Sequence, residues 1–236
     1  ERGHWLYITL ATARKFPIAC FQIQYWDIIA IQVRSKRIRE IVLSLLLTIV
    51  RMKIKELDFE KFIGEEEIKQ KITLLAETID HDYATKIPVF LPILNGSFMF
   101  SADLLKLVSI ACKVSFVKIS SYVGTVSSGQ LKTLIGLDES LFNQDIIIVE
   151  DIIDTGLTLQ KIIEELKNLG TKSVEVISLL RKKPARDKNI VVKYVGFDIG
   201  TEFVVGYGLD YDGFGRNLKD IYKTDSENVP NNNMQV

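Results

Sequence analysis

Four consecutive β-branched residues, Ile146-Ile147-Ile148-Val149, run directly into Glu150 and Asp151, and this stretch constrains the chain more than any other. An unbroken apolar run of that kind suits a strand buried on both faces, the setting of a parallel sheet. Adjacent acids against such a strand are costly unless something uses their charge. After Ile152 and Ile153 comes the loop Asp154-Thr155-Gly156-Leu157-Thr158. Leu159, Ile162, Ile163, Leu166 and Leu169 then recur at helical spacing, and Gly170 makes a stop. A strand that carries acids to its carboxyl end, followed by small residues that open a helix, is a place for anions. Free backbone N–H groups and the positive end of the helix dipole both point at the loop. An ordinary strand-to-helix turn with Asp154 or Thr155 as N-cap accounts for the tripeptide Asp154-Thr155-Gly156 alone, but gives no reason for Glu150 and Asp151.

The pattern on either side alternates strands with helices. Ile68, Ile72, Leu75, Ala76 and Ile79 form one helical face, with Glu65, Glu66 and Glu67 in the first turn, where the dipole favours acids. Residues 87–94 read as a strand that Pro88 and Pro92 demote to an edge. Asn95-Gly96-Ser97 reads as a turn and residues 98–108 as an apolar helix. Residues 114–119 alternate as a half-buried strand. Further strands are expected at 174–180, 190–195 and 203–205. The polar stretch 120–132 is too long for a tight hairpin and has Gly124 and Gly129 as pivots, as lids do. The order predicts a doubly wound α/β domain with a mostly parallel, twisted sheet and a ligand at its carboxyl edge.

Composition narrows the function. Lys+Arg and Asp+Glu each number 30, so no excess of positive charge argues for nucleic acid. Cys20 and Cys112 show no paired spacing, which suits a reducing compartment. His4 and His81 lie far apart without Cys or His neighbours at ligand spacing, which argues against zinc and against a Ser-His triad. Residues 1–51 differ from the rest: eight basic residues against three acids, where the remainder carries 22 against 27. The apolar run 41–50 is about half of the roughly 20 residues a bilayer span needs. The extension is open to three readings: a targeting or anchoring segment, a poorly ordered addition, or upstream sequence translated from a wrongly assigned start. Met52-Lys53-Ile54-Lys55 looks like a natural beginning and favours the last. The expected division is therefore 1–51 extension, 52–225 domain, and 226–236 frayed polar tail.

The stretch Glu150-Asp151-Ile152-Ile153-Asp154-Thr155-Gly156 closely resembles the phosphoribosyl-pyrophosphate signature of the type I phosphoribosyltransferases, in the wording of the bacterial-type hypoxanthine-guanine branch. Other segments resemble the same family, together covering roughly residues 52–224. Leu94-Asn95-Gly96 sits where the family has its pyrophosphate loop, often with a cis peptide after the leucine. Asn95 stands where many members have lysine, so backbone N–H would make that contact. Ser121-Tyr122 resembles the pair on the family's mobile lid. Lys182 resembles the lysine that meets the purine's exocyclic oxygen, although counting back from Pro184 selects Lys183 or Arg181. The segment 203–211 resembles the purine-binding hood. There the resemblance gives Phe203 a stacking role, the backbone of Val204 the reading of the base edge, and Asp210 a place near the guanine amine and a metal-bound water. Arg216 would clamp pyrophosphate, for which a guanidinium fork is suited.

The reaction this resemblance implies is purine salvage: a 6-oxopurine displaces pyrophosphate from phosphoribosyl pyrophosphate, giving a nucleoside 5′-monophosphate. The resemblance implies Glu150 and Asp151 for the ribose hydroxyls and Mg2+, with Asp210 completing the metal set. Asp154, Thr155, Gly156, Leu157 and Thr158 would cradle the 5′-phosphate, and Asp154 would be the general base. Family members form homodimers or homotetramers; a cytoplasmic enzyme with neither nucleic-acid nor membrane partner is expected. A regulator that binds the donor without turnover, and an enzyme preferring xanthine, are the alternatives. Adenine ranks low because it lacks the 6-oxo group.

Overall fold

The computed structural model describes residues 51–120, 132–135, 137–183, 185, 191–225, 227 and 229. The expected lid pair Ser121-Tyr122 and residues 1–50 lie outside the described residues. Among the described residues, strands β1 (Arg51–Ile54), β2 (Leu57–Ile63), β10 (Phe203–Val205) and β11 (Ile221–Thr224) form an antiparallel sheet in the order β1-β2-β11-β10. The first strand begins at Arg51, paired with Glu60, so the expected boundary after residue 51 falls inside a strand.

The second sheet runs β6-β5-β3-β7-β8-β9, with β4 also paired to β3. Its strands are β3 (Val89–Leu94), β4 (Lys113–Val114), β5 (Val117–Ser120), β6 (Lys132–Ile135), β7 (Asp145–Ile153), β8 (Ser173–Lys182) and β9 (Tyr194–Ile199). All pairings are parallel except β5 with β6. Three corrections follow. The run expected at 114–119 is broken into β4 and β5, and the strand expected at 190–195 is β9, starting at Tyr194. Pro92 lies in the middle of the sheet, not at its edge. Phe90 O accepts from Ser115 N, so the nitrogen two residues on at Pro92 faces the same side, opposite the break between β4 and β5, where no ladder donor is called for.

Helix α1 (Glu65–Asp82) buries Ile68, Ile72, Leu75, Ala76 and Ile79, the five residues of its expected apolar face. Each side chain fully buried there is worth roughly 1.5–3 kcal/mol. Helix α2 (Phe98–Leu107) joins α1 over one face of the parallel sheet, and α3 (Leu157–Asn168) covers the other with Leu159, Ile162 and Leu166. Strand β7 serves both cores. Ile147 and Val149 point to the α1 side, while Ile146, Ile148 and Ile153 point to the α3 side. The antiparallel sheet has its own cluster of Ile54, Leu57, Phe59, Phe203, Val205, Tyr211 and Val229. Val229, an apolar side chain within the stretch expected to fray, is buried in that cluster.

Candidate active site

The acids arrive by strand, not by loop. Strand β7 continues through Glu150 and Asp151 to Ile153, with Glu150 paired opposite Ser178 and Ile153 opposite Arg181. Both carboxyls are pushed up by burial, Glu150 well above its ordinary range and Asp151 to about 6. Glu150 Oε2 is buried and has no hydrogen-bond partner. Two buried carboxyls are thus adjacent, with the Arg216 charge bearing on Asp151 and no hydrogen bond on Glu150 Oε2. Mg2+ commonly takes one or two carboxylates and completes its shell with water and substrate oxygens, so this pair fits it. Among the described residues no three carboxylate, imidazole or thiol side chains converge at ligand spacing, although the charge of Asp210, the expected third ligand, bears on Asp151. Asp210 is paired with Arg216 at 2.6 Å and accepts from Gly213 N at 2.7 Å.

Asp151 abuts the turn after β3, where the Leu94–Asn95 peptide is cis. A Cβ added at Gly96 would lie 2.5 Å from Asp151 Cγ and 2.8 Å from its Oδ1, so only glycine leaves room for the acid. On its other side the carbonyl of Gly96 presses against Gly208, where a Cβ would sit 3.2 Å from the Gly96 carbonyl carbon. The spacing of these two glycines in sequence gave no sign that they touch. Asn95 is exposed, at the mouth of this turn.

The loop after β7 ends at Gly156, whose φ of 73° is left-handed, a conformation that glycine adopts without steric cost. Gly156, not Asp154 or Thr155, is the N-cap of α3. The first helical hydrogen bond is Gln160 N to Gly156 O at 3.0 Å, so the N–H groups of Leu157, Thr158 and Leu159 precede it. Thr155 and Leu157 are exposed and Thr158 half-buried, leaving this helix start open to an anion.

Parallel register sets the partner of Asp154. Because Ile153 lies opposite Arg181, the next residues, Asp154 and Lys182, come side by side, and Lys182 Nζ donates to Asp154 Oδ2 at 2.9 Å. Lys182 is 6% exposed; Lys183 is exposed. Arg181 points to the other face and makes a bidentate pair with Asp198 at 2.7 and 3.1 Å. Lys182 is thus the basic side chain of the three that reaches the carboxyl edge beside Asp154.

Strand β10 alternates: Val204 packs into the main core, and Phe203 and Val205 into the hood cluster. The Phe203 ring is 3% exposed, edge-on to Tyr211 at 5.8 Å and tilted against Phe59 at 6.4 Å. Its period-two position turns the ring, the expected stacking platform, into the aromatic cluster. Arg216 donates to Gly208 O at 2.7 Å, and Tyr207 donates to Asp103 on α2 at 2.6 Å. This last contact ties the hood to the helix that follows the Gly96 turn. It joins residues far apart in sequence, and no local pattern signals it.

The family model described as "Phosphoribosyl transferase domain" matches residues 63–212. The chain is 41% identical over 163 residues to the hypoxanthine-guanine phosphoribosyltransferase of Bacillus subtilis (strain 168), covering 68% of this chain and 91% of that protein. It is 40% identical over 163 residues to the bifunctional protein TilS/HprT of Listeria monocytogenes serotype 4b (strain F2365), covering 68% of this chain but spanning a quarter (25%) of that protein's length. A crystal structure of a hypoxanthine phosphoribosyltransferase from Staphylococcus aureus aligns with a TM-score of 0.67 at 40% identity, covering 73% of this chain and 94% of that one. A parallel sheet whose acids, glycine turn and helix start meet at one carboxyl edge, together with these likenesses, makes the chain a member of the phosphoribosyltransferase family, in its hypoxanthine-guanine branch.

Proposed function

We propose that the chain transfers the 5-phosphoribosyl group from phosphoribosyl pyrophosphate to hypoxanthine, and to guanine, forming the nucleoside 5′-monophosphate and pyrophosphate. The observation that carries this reading is the meeting of Asp151 with the Gly96 turn, one strand away from the open start of α3. That arrangement suits a ligand with a phosphate at one end, hydroxyls in the middle and a pyrophosphate at the other. The N–H groups of residues 157–159 and the hydroxyls of Thr155 and Thr158 hold the 5′-phosphate. Glu150 and Asp151 hold the ribose hydroxyls and Mg2+, which when bound supplies positive charge to the two buried acids and the pyrophosphate oxygens. Backbone N–H groups around Asn95 and Gly96, with the Arg216 fork, hold the leaving pyrophosphate.

The purine enters between β8 and the hood. Lys182 donates to its 6-oxo group, the backbone of Val204 reads its edge, and Phe203 holds β10 in place behind. Asp210 lies toward the 2-position. In the transfer, the purine nitrogen's lone pair forms the bond to the anomeric carbon, the bond from that carbon to pyrophosphate breaks, and the purine's proton passes to the Asp154 carboxylate. Ser121 and Tyr122 belong to the lid that keeps water from the donor. Cytoplasmic setting and a homodimeric or homotetrameric form rest on family likeness alone. Turnover with phosphoribosyl pyrophosphate, Mg2+ and each of hypoxanthine, guanine, xanthine and adenine tests the reading. Nucleotide is expected from the first two; product from none of the four overturns it.

A further inference from the structure

Arg216 and Asp210 sit on a loop that has no strand of its own. It closes on itself through Tyr211 N to Phe214 O at 2.9 Å and Phe214 N to Tyr211 O at 3.0 Å, with Gly213 N on Asp210 at 2.7 Å. Its Arg216 end is held by Gly208 N on Arg216 O at 2.9 Å and its Tyr211 end by the ring's packing against Phe59 and Phe203, and the stretch between is joined to the rest of the hood by the two-residue turn between β1 and β2. The Tyr211 hydroxyl donates to the Glu56 carboxylate, Lys55 pairs with Asp212, and the Lys55 ammonium lies 5.4 Å from the centre of the Phe214 ring. We propose that Lys55 and Glu56 are positioning residues for pyrophosphate: by tethering this loop they fix where Arg216 presents its guanidinium. The proposal rests on the reading of Arg216 as a pyrophosphate ligand. The turn precedes residue 63 and Arg216 follows 212, so both lie outside the segment that the family model matches.

Magnitudes rank the contacts. Lys55 and Asp212 are 38% and 48% exposed, and an ion pair that open to water contributes little. The Tyr211 ring is fully buried, so its hydroxyl has one direction in which to point, and a hydrogen bond to an ionised acceptor is among the stronger kinds. That bond also holds the Glu56 carboxyl below its usual range. Glu56 is therefore the main tether, with Lys55 secondary. The effect should fall on the pyrophosphate end of the ligand alone, because the 5′-phosphate loop belongs to α3, on a different sheet edge.

Tyr211→Phe removes the hydroxyl while keeping the buried ring, and Glu56→Gln keeps an acceptor. In Tyr211→Phe and Glu56→Ala the dissociation constant of Mg2+-pyrophosphate should rise about tenfold, a change of about 1.4 kcal/mol. KM for the donor should rise with it while kcat stays within about twofold, and inosine 5′-monophosphate should bind as before. Glu56→Gln should recover most of the loss. Amide hydrogen exchange at Gly213 and Phe214 should quicken in Tyr211→Phe, a readout that needs no ligand. Unchanged exchange, unchanged pyrophosphate affinity, or an equal loss of monophosphate affinity would overturn the tether. An unaltered chain that fails to bind pyrophosphate would instead overturn the assignment of Arg216 on which it rests, and the exchange data would tell the two failures apart.

Discussion

Asp151→Asn, made in the chain free of metal and substrate, should stabilise it, and by an amount that depends on pH. Burial raises the Asp151 carboxyl from an ordinary 3.8 to about 6, with the Asp210 charge adding to the effect and Arg216 opposing it. An acid that binds its proton more tightly folded than unfolded loses stability as pH rises through that interval, and the loss persists above it. Moved that far, the group costs about 3 kcal/mol in full, of which roughly 1.4 kcal/mol falls between pH 5 and pH 8. A domain of this size shifts its Tm by roughly 2–4 °C per kcal/mol. The ligand-free chain should thus melt about 3–6 °C lower at pH 8 than at pH 5 on account of Asp151, with Glu150 acting in the same direction. Carboxylates held low, such as Asp82 at about 2 beside Lys193 and Asp145 beside Lys172, change state below pH 4 and leave this window untouched. The assay is thermal melting followed by circular dichroism at both pH values, with and without excess Mg2+. The variant should flatten the pH dependence and lose the stabilisation that Mg2+ gives the parent at pH 8. A parent whose Tm is level between pH 5 and pH 8, or a variant with the parent's slope, would refute the reasoning.

Other consequences are open to simpler measurement. Gly96→Ala puts a methyl group into the space of Asp151, and overpacking of a closed site costs about 1–3 kcal/mol, so Tm should fall by several degrees and donor KM should rise; a variant with the parent's KM would contradict the shared space. Lys182→Met should raise the purine KM at least tenfold and Lys183→Met should leave it within about twofold, as steady-state kinetics with hypoxanthine would read, because Lys182 alone of the two is buried beside Asp154.

Much of this site could be read from sequence, because its parts are local. The acid pair, the loop and the helix start follow one another from 146 to 158, and β-branching and helical spacing declare the elements that carry them. The buried face of α1 was equally plain, for a period of 3.6 needs no partner to be seen. What stayed hidden depends on neighbours distant in the chain. Pro92 marks an edge by local rule, yet is tolerated in the centre because the adjacent strand is interrupted beside it. The choice among Arg181, Lys182 and Lys183 is made by pairing with β7 and β9, not by distance from Pro184. Phe203 turns inward because Phe59 and Tyr211 are there to receive it. The contact of Gly96 with Asp151 and Gly208 needs three chain segments in one place.

If Asp154 takes the purine's proton at a site whose donor is held by other residues, its loss should slow transfer without loosening the donor. The most direct measurement is the single-turnover rate of inosine 5′-monophosphate formation, at saturating donor and Mg2+, in the parent and in Asp154→Asn. A positioned general base is worth typically 10²–10⁴-fold. The rate should fall within about that range while the donor's dissociation constant changes less than about threefold. A rate unchanged in the variant, or no nucleotide from the parent, would contradict the account.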